Sequence, residues 1–140
     1  MSSLTVALDI AKNTLLNTQV QMGTASHNIA NADSTRTPEG GPYRRQRVTF
    51  QTVFEQAAGN KSVPAGVAVQ SITADPTDFL TVYDPGHPDA DANGMVKKPN
   101  VNVVEEMVDM ISATRAYEAN VTALNATKSM IASGIEIGKA

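Results

Sequence analysis

The chain has 140 residues, 41% of them apolar, and a formal net charge of −3; this is enough for one ordinary domain and a poor balance for general affinity to nucleic acid or anionic membrane. It has no cysteine and no tryptophan, and only three tyrosines and three phenylalanines, which excludes disulfides, thiolate metal sites and cysteine nucleophiles and predicts a thin core. The first lysine is Lys12 and Asp9 follows the short apolar run Val6–Leu8, so the N-terminus does not read as a Sec signal; nor does any window approach the ~18 apolar residues of a membrane span, so a soluble chain is expected.

Residues 1–32 contain no proline, and Leu4, Leu8, Ala11, Leu15, Thr18, Met22, Ala25 and Ile29 recur at alternating steps of four and three. That 3.5-residue period is the seam of a coiled-coil helix, narrower than the stripe of a helix lying on a globular core. Ile10, Leu16 and Val20 flank this seam.

All seven prolines and six of the nine glycines fall between Pro38 and Pro99, where proline's missing donor and ring clash oppose helix. Residues 33–100 therefore read as loop plus a small β-rich segment. Val48, Phe50, Thr52 and Phe54 sit at alternating positions in strand fashion, with shorter echoes at Val67–Val69 and Leu80–Val82; the strands are expected to be few and short. Near the start of this segment, Gly40-Gly41-Pro42 precedes Tyr43 and a basic knot of Arg44, Arg45 and Arg47. Five aspartates and no lysine or arginine lie between Asp75 and Asp91, so a basic loop and an acidic loop share one chain, a pattern suited to complementary protein–protein contacts.

Residues 101–140 are again free of proline. Val103, Met107, Met110, Thr114, Tyr117, Val121, Leu124, Lys128 and Ile131 repeat the same alternation, predicting a second seam helix. Asn102 and Glu105 have capping-box spacing, and Glu105, Glu106 and Asp109 set negative charge at the positive end of the helix dipole; Gly138 followed by Lys139 marks a stop. The fold expected is mainly α: residues 1–32 and 101–140 are long helices, each roughly 45–50 Å, pairing as an antiparallel coiled coil in one unit, with residues 33–100 as the irregular, β-rich middle. A two-helix hairpin cannot also cover Val104, Val108 and Ile111 beside the second seam, so other chains are needed to shelter them.

Chemical motifs are weak. The run "DADANG" at 89–94 fits the opening of a calcium loop, but the twelfth position is Asn100 rather than glutamate and Lys97 occupies the ninth, so no metal site is predicted. His27 and His87 are the only histidines; Ser26 adjoins His27, and helix neighbours point about 100° apart, leaving no nucleophile–base pair. No catalytic residue and no cofactor are predicted, and three arginines with one tyrosine make too small a footprint for nucleic acid.

The stretch "SHNIANADSTRTPEGGPYRRQ", a helix ending in Asn-x-x-Asn-Ala followed by a Thr-Pro loop, resembles the flagellar rod and hook axial protein family. The stretch "YDPGHPDADANGMVKKPNVNVVEEMVDMISATRAYEANVTALNATKSM" is similar to that family too, in its proximal-rod branch. The resemblance implies a structural rod subunit in the periplasm that transmits motor torque, exported by the flagellar type III apparatus without a cleaved signal. It implies partners among rod proteins of the FlgB, FlgF and FlgG types, a FliE-type junction protein and further copies of the chain, with the paired terminal helices in an inner tube. Under that reading Asn28, Ala30 and Asn31 form the helix exit, the two seams carry subunit assembly, and Tyr43 with Arg44, Arg45 and Arg47 docks on a neighbouring subunit. The alternative is a coiled-coil adaptor with no flagellar role.

Overall fold

The computed structural model describes residues 3–57 and 61–139. Six elements follow one another: helix α1 (Ser3–Ala30), strands β1 (Gln46–Ala57), β2 (Lys61–Ala74), β3 (Leu80–Tyr83) and β4 (Met95–Lys98), and helix α2 (Val103–Ile137). The helices carry the two proline-free ends, and at 28 and 35 residues they are about 42 and 52 Å long.

Helix α1 ends where Asn31 folds back on the last turn: its backbone N–H and its side-chain Nδ2 both donate to the His27 carbonyl, at 3.2 and 2.9 Å. The chain then closes a loop in which Tyr43 N donates to Ser34 O (2.9 Å) and Thr37 N to Gly41 O (2.9 Å). Gly40 and Gly41 take φ of +90° and +76°, a backbone that only glycine adopts without strain. Helix α2 starts at Asn102, whose side chain accepts from Val104 N and Glu105 N, an N-cap of the expected kind. It runs through Gly134 and stops at Gly138.

The middle is more regular than few, short strands. β1 and β2 form one antiparallel hairpin of 12 and 14 residues. The pairing steps from Ser71 to Val69 and from Gly66 to Pro64, so Gln70 and Ala65 are extra residues on β2 while β1 alternates without interruption. Bulges accommodate Pro64 and Gly66 inside a strand, which is why those residues read as breakers in the sequence. β4 pairs with β3 from Leu80↔Lys98 to Tyr83↔Met95; its "MVKK" carries no strand period and was not expected. Asp91 holds their connection by accepting from Asn93 N and Met95 N at 2.8 and 2.9 Å. Gly94, φ +74°, lies so close to Pro85 and Tyr83 that a Cβ would meet each at 3.0 Å.

The described core is small: Ala25, Tyr43, Val96 and Ala113 are its buried apolar residues, beside buried Thr18, Thr24, Asn28, Asp75 and Glu106. α1 packs on α2 and on the β1–β2 hairpin, with Asn17 Nδ2 of α1 donating to Val67 O of β2. Asn28 meets Glu106 and Met22 meets Thr114, so the contacts advance along one helix as they retreat along the other.

Candidate functional site

The end of α1, the loop after it and the start of α2 converge at one junction. Asn28, 1% exposed, is its centre. Its Nδ2 donates to Gln46 O (2.9 Å) and Glu106 Oε2 (3.1 Å), and its Oδ1 accepts from Tyr43 Oη (2.8 Å) and Gln46 N (2.9 Å). Two donors and two acceptors are all that a carboxamide offers, and each is used.

Glu106, 2% exposed, brings its other oxygen to Arg45 Nε. The Arg45 guanidinium also donates to Asp75 Oδ2 at 3.1 Å and lies 3.8 Å from Asp109. Hydrogen bonding to Glu106, partly opposed by burial, raises the pKa of Arg45 further above its ordinary value, so it is a permanent cation. Asp75 accepts from both the hydroxyl and the amide of Thr77, and with Arg45 beside it its carboxyl is held down at about 2. Burial, and then the charge of Glu106, push the Tyr43 phenol above its usual range, so it stays a donor to Asn28. A buried ion pair is favourable only when its remaining lone pairs and protons are satisfied, and Asn28 completes this one.

Around this network, Arg44 donates to the carbonyls of Asp75 and Thr77, both at 2.9 Å, and lies 4.1 Å over the Phe79 ring. Asn100 accepts from Arg45 N at 2.8 Å and donates to the same two carbonyls. Tyr43 meets the His27 ring edge to face at 5.5 Å. Further out, Asp89 takes Thr35 Oγ1 (2.7 Å) and Arg36 Nε (3.0 Å), which hold its pKa down.

The basic knot thus works largely within the chain. Arg44 and Arg45, expected to reach a neighbouring subunit, find their carbonyl and carboxylate partners in residues 75–77 and in α2, because the turn at Gly40 and Gly41 folds them back toward it. Arg47 alone of the three is exposed. Asn28 and Asn31 are at the helix exit, one buried and one capping; Ala30 is exposed beside them.

On α1 every seam residue from Leu4 to Ile29 is buried or half-buried. On α2 the row Met110, Tyr117, Leu124 and Ile131 is half-buried, but its companion is Glu106, Ala113, Asn120 and Thr127. Val103 and Met107, expected on the seam, stand 37% and 51% exposed, and Val121 is half-buried at its margin. The shift by one position has a plain cause: small and polar side chains let the helices approach while Asn28 and Glu106 join, whereas an apolar count selects the bulkier neighbours. Val104, Val108 and Ile111 are 69%, 57% and 55% exposed. They form an apolar face on α2 turned away from the chain's own core.

Sequence reasoning missed Glu106, Asp75 and Asn100 as functional residues. Glu106 carried a signal, an acid four residues before Met110 in an otherwise apolar or small row; Asn100 and Asp75 carried none. Among the described residues no group of three or more histidine, cysteine, aspartate or glutamate side chains is placed to hold a metal ion, and no helix is long and apolar enough to cross a membrane.

Residues 92–137 match the family described as flagellar basal body rod FlgEFG protein C-terminal. Over 145 residues, covering 95% of this chain and 97% of the relative, the sequence is 46% identical to the flagellar basal-body rod protein FlgC of Bacillus subtilis. It is 43% identical to that of Borreliella burgdorferi, over 94% and 95% of the two chains, and 44% identical to that of Salmonella typhimurium, over the same shares.

Proposed function

Because the chain belongs to the FlgC family of flagellar basal-body rod proteins, we propose that it is a structural subunit of the proximal rod, polymerising with its neighbours to pass torque from motor to hook. It performs no chemistry. The observation that carries this reading is the near-full-length identity to those rod proteins, joined to a physical one: a 35-residue helix with Val104, Met107, Val108 and Ile111 all at least half exposed. An apolar row of that kind is sheltered by other subunits.

In this reading α1 and α2 pair as an antiparallel coiled coil in an inner tube, and their outer faces meet equivalent helices of neighbours. The partners are further copies of the chain, rod proteins of the FlgB, FlgF and FlgG types and a FliE-type junction protein. The chain reaches the periplasm through the flagellar type III apparatus. The buried junction supports a torque-bearing role, since it ties the helix pair to the β-rich middle through hydrogen bonds and ion pairs whose geometry resists shear. The contacts proposed for assembly are the exposed seam residues Val103 and Met107, the outer row beside them and Arg47, while the buried seam residues act by holding the helix pair together.

The test is genetic and biochemical. Deleting the gene is expected to abolish swimming while the inner-membrane ring still forms, and a tagged copy is expected to restore motility and co-purify with basal bodies. A tagged chain that restores nothing and is absent from basal bodies returns the reading to an adaptor without flagellar role.

A further inference from the structure

Strand β1 has an open edge, and Asn28 shows which of its groups face outward. The Asn28 carboxamide donates to Gln46 O and accepts from Gln46 N, the pair of bonds that a residue on an adjoining antiparallel strand would make. Asp75 N, by contrast, donates to Arg45 O, on the side of β2. Backbone direction alternates along a strand, and both bulges lie on β2, so Val48, Phe50, Thr52 and Phe54 direct their N–H and C=O groups to the same outer side as Gln46. Among the described residues β1 has no strand neighbour there. Along Val48 and Phe50 this edge borders a groove of about 460 Å³ whose opposite wall on α2 is made of Glu106, Asp109, Ser112, Ala113 and Ala116.

We propose that β1 of a second copy of this chain occupies that edge, antiparallel and about a two-fold axis at Gln51. The register follows from the charges. Arg47 and Glu55 are exposed and lie four residues either side of Gln51, so pairing about Gln51 sets Arg47 of each copy opposite Glu55 of the other. The same register makes Val48–Phe54 and Phe50–Thr52 the hydrogen-bonded pairs, which are the outward-facing positions, and its ladder stops where Asn28 already serves Gln46. Val48 and Phe50 line the groove, so Phe54 of the second copy, on the same face of the new ladder, enters it. Phe54 is 61% exposed in the single chain. β2 offers no equivalent: Pro64 and two bulges interrupt it, the devices that discourage edge pairing. Two-fold pairing closes on itself, so the dimer is a form of the free chain and does not depend on the rod role.

The purified full chain, which has no cysteine, allows a direct test. Cross-strand neighbours at non-hydrogen-bonded sites have Cβ atoms about 4.5–5.5 Å apart, so Gln51→Cys is expected to form a disulfide dimer on mild oxidation, at least tenfold faster than Thr81→Cys on the exposed face of β3. By sedimentation the cysteine-free chain is expected to dimerise, with Arg47→Glu, Glu55→Arg and Phe54→Ser each weakening association at least tenfold and the Arg47→Glu/Glu55→Arg pair restoring it. Far-UV circular dichroism checks that each variant is folded, and Phe54→Ser tests the interface without touching a charge. A chain that stays monomeric at millimolar concentration overturns the proposal. So does a dimer that ignores all three single substitutions or fails to link through residue 51.

Discussion

Asn28 on α1 and Glu106 on α2 are joined by a 3.1 Å hydrogen bond across 78 positions of sequence, and both are all but fully buried. The bond closes a circuit, since Glu106 also holds Arg45 while Asn28 holds Gln46 at the start of the strand that follows Arg45. Helix exit, loop, hairpin and second helix are fixed to one another at a single point.

Asn28→Ala is therefore expected to cost more than a typical buried polar truncation. It strips four hydrogen bonds and leaves Gln46, Tyr43 and Glu106 with unmet groups in a dry site, a loss of about 3 kcal/mol. Urea denaturation followed by circular dichroism measures it. Asn28→Asp is expected to be worse at neutral pH, because it removes both donors and sets a carboxylate beside Glu106. A loss below about 1 kcal/mol for the alanine variant would mean that water replaces the amide and the junction is not the tie described.

Arg45 and Glu106 are expected to be strongly coupled. Arg45→Met leaves the Glu106 carboxylate buried with Asn28 as its remaining partner, at about 3–5 kcal/mol. Glu106→Gln frees Arg45, whose side chain is 23% exposed, and is expected to cost less. In a double-mutant cycle the pair recovers part of the sum, with a coupling of more than about 1 kcal/mol. Strict additivity would contradict the pairing.

The acid side of the stability profile is expected to carry the mark of Asp75. Its folded pKa of about 2 lies below the ordinary carboxylate value because Thr77 and Arg45 stabilise the ionised form. The depressed value means that the folded state holds the proton less tightly than the unfolded chain. The contribution is thus complete above about pH 4 and is lost as pH falls from there toward 2. Asp75→Asn is expected to flatten the pH dependence of the denaturation midpoint in that window and to lower stability at neutral pH; unchanged steepness would show that other carboxylates set the acid limit.

The two helices were legible in the sequence because backbone chemistry wrote them plainly: no proline at either end, a repeating step of three and four, and Asn102 ahead of an acidic first turn. The hairpin was legible only at its centre, since Pro64 and Gly66 look like breakers until bulges absorb them. The junction was half legible. Asn28 and Asn31 stood out by resemblance, and the three arginines by their density. Their partners did not, because Asp75, Asn100 and Glu106 lie 25 or more positions further on and only folding makes them neighbours. The same blindness moved the α2 seam by one position. Burial there was decided by close approach and a polar bridge, and hydropathy is silent on both.

The two faces of α2 are expected to fail in different ways, which separates folding from assembly. Ala113 is 5% exposed on the side of α2 that faces α1 and β1, so Ala113→Glu sets a carboxylate at a buried position and is expected to destabilise the single chain by several kcal/mol. Val108 is 57% exposed and lies outside the buried core, so Val108→Glu is expected to change the stability of the single chain by no more than about 0.5 kcal/mol. If the outer row is the face that neighbours cover, that silent substitution nonetheless stops rod assembly, because each subunit then brings an unpaired carboxylate to a packed interface. Motility of cells carrying each variant, read beside urea denaturation of the same purified chains, gives the answer. Full swimming with Val108→Glu would show that the exposed valine row faces water in the assembled rod and that the contacts between subunits lie elsewhere on the helices.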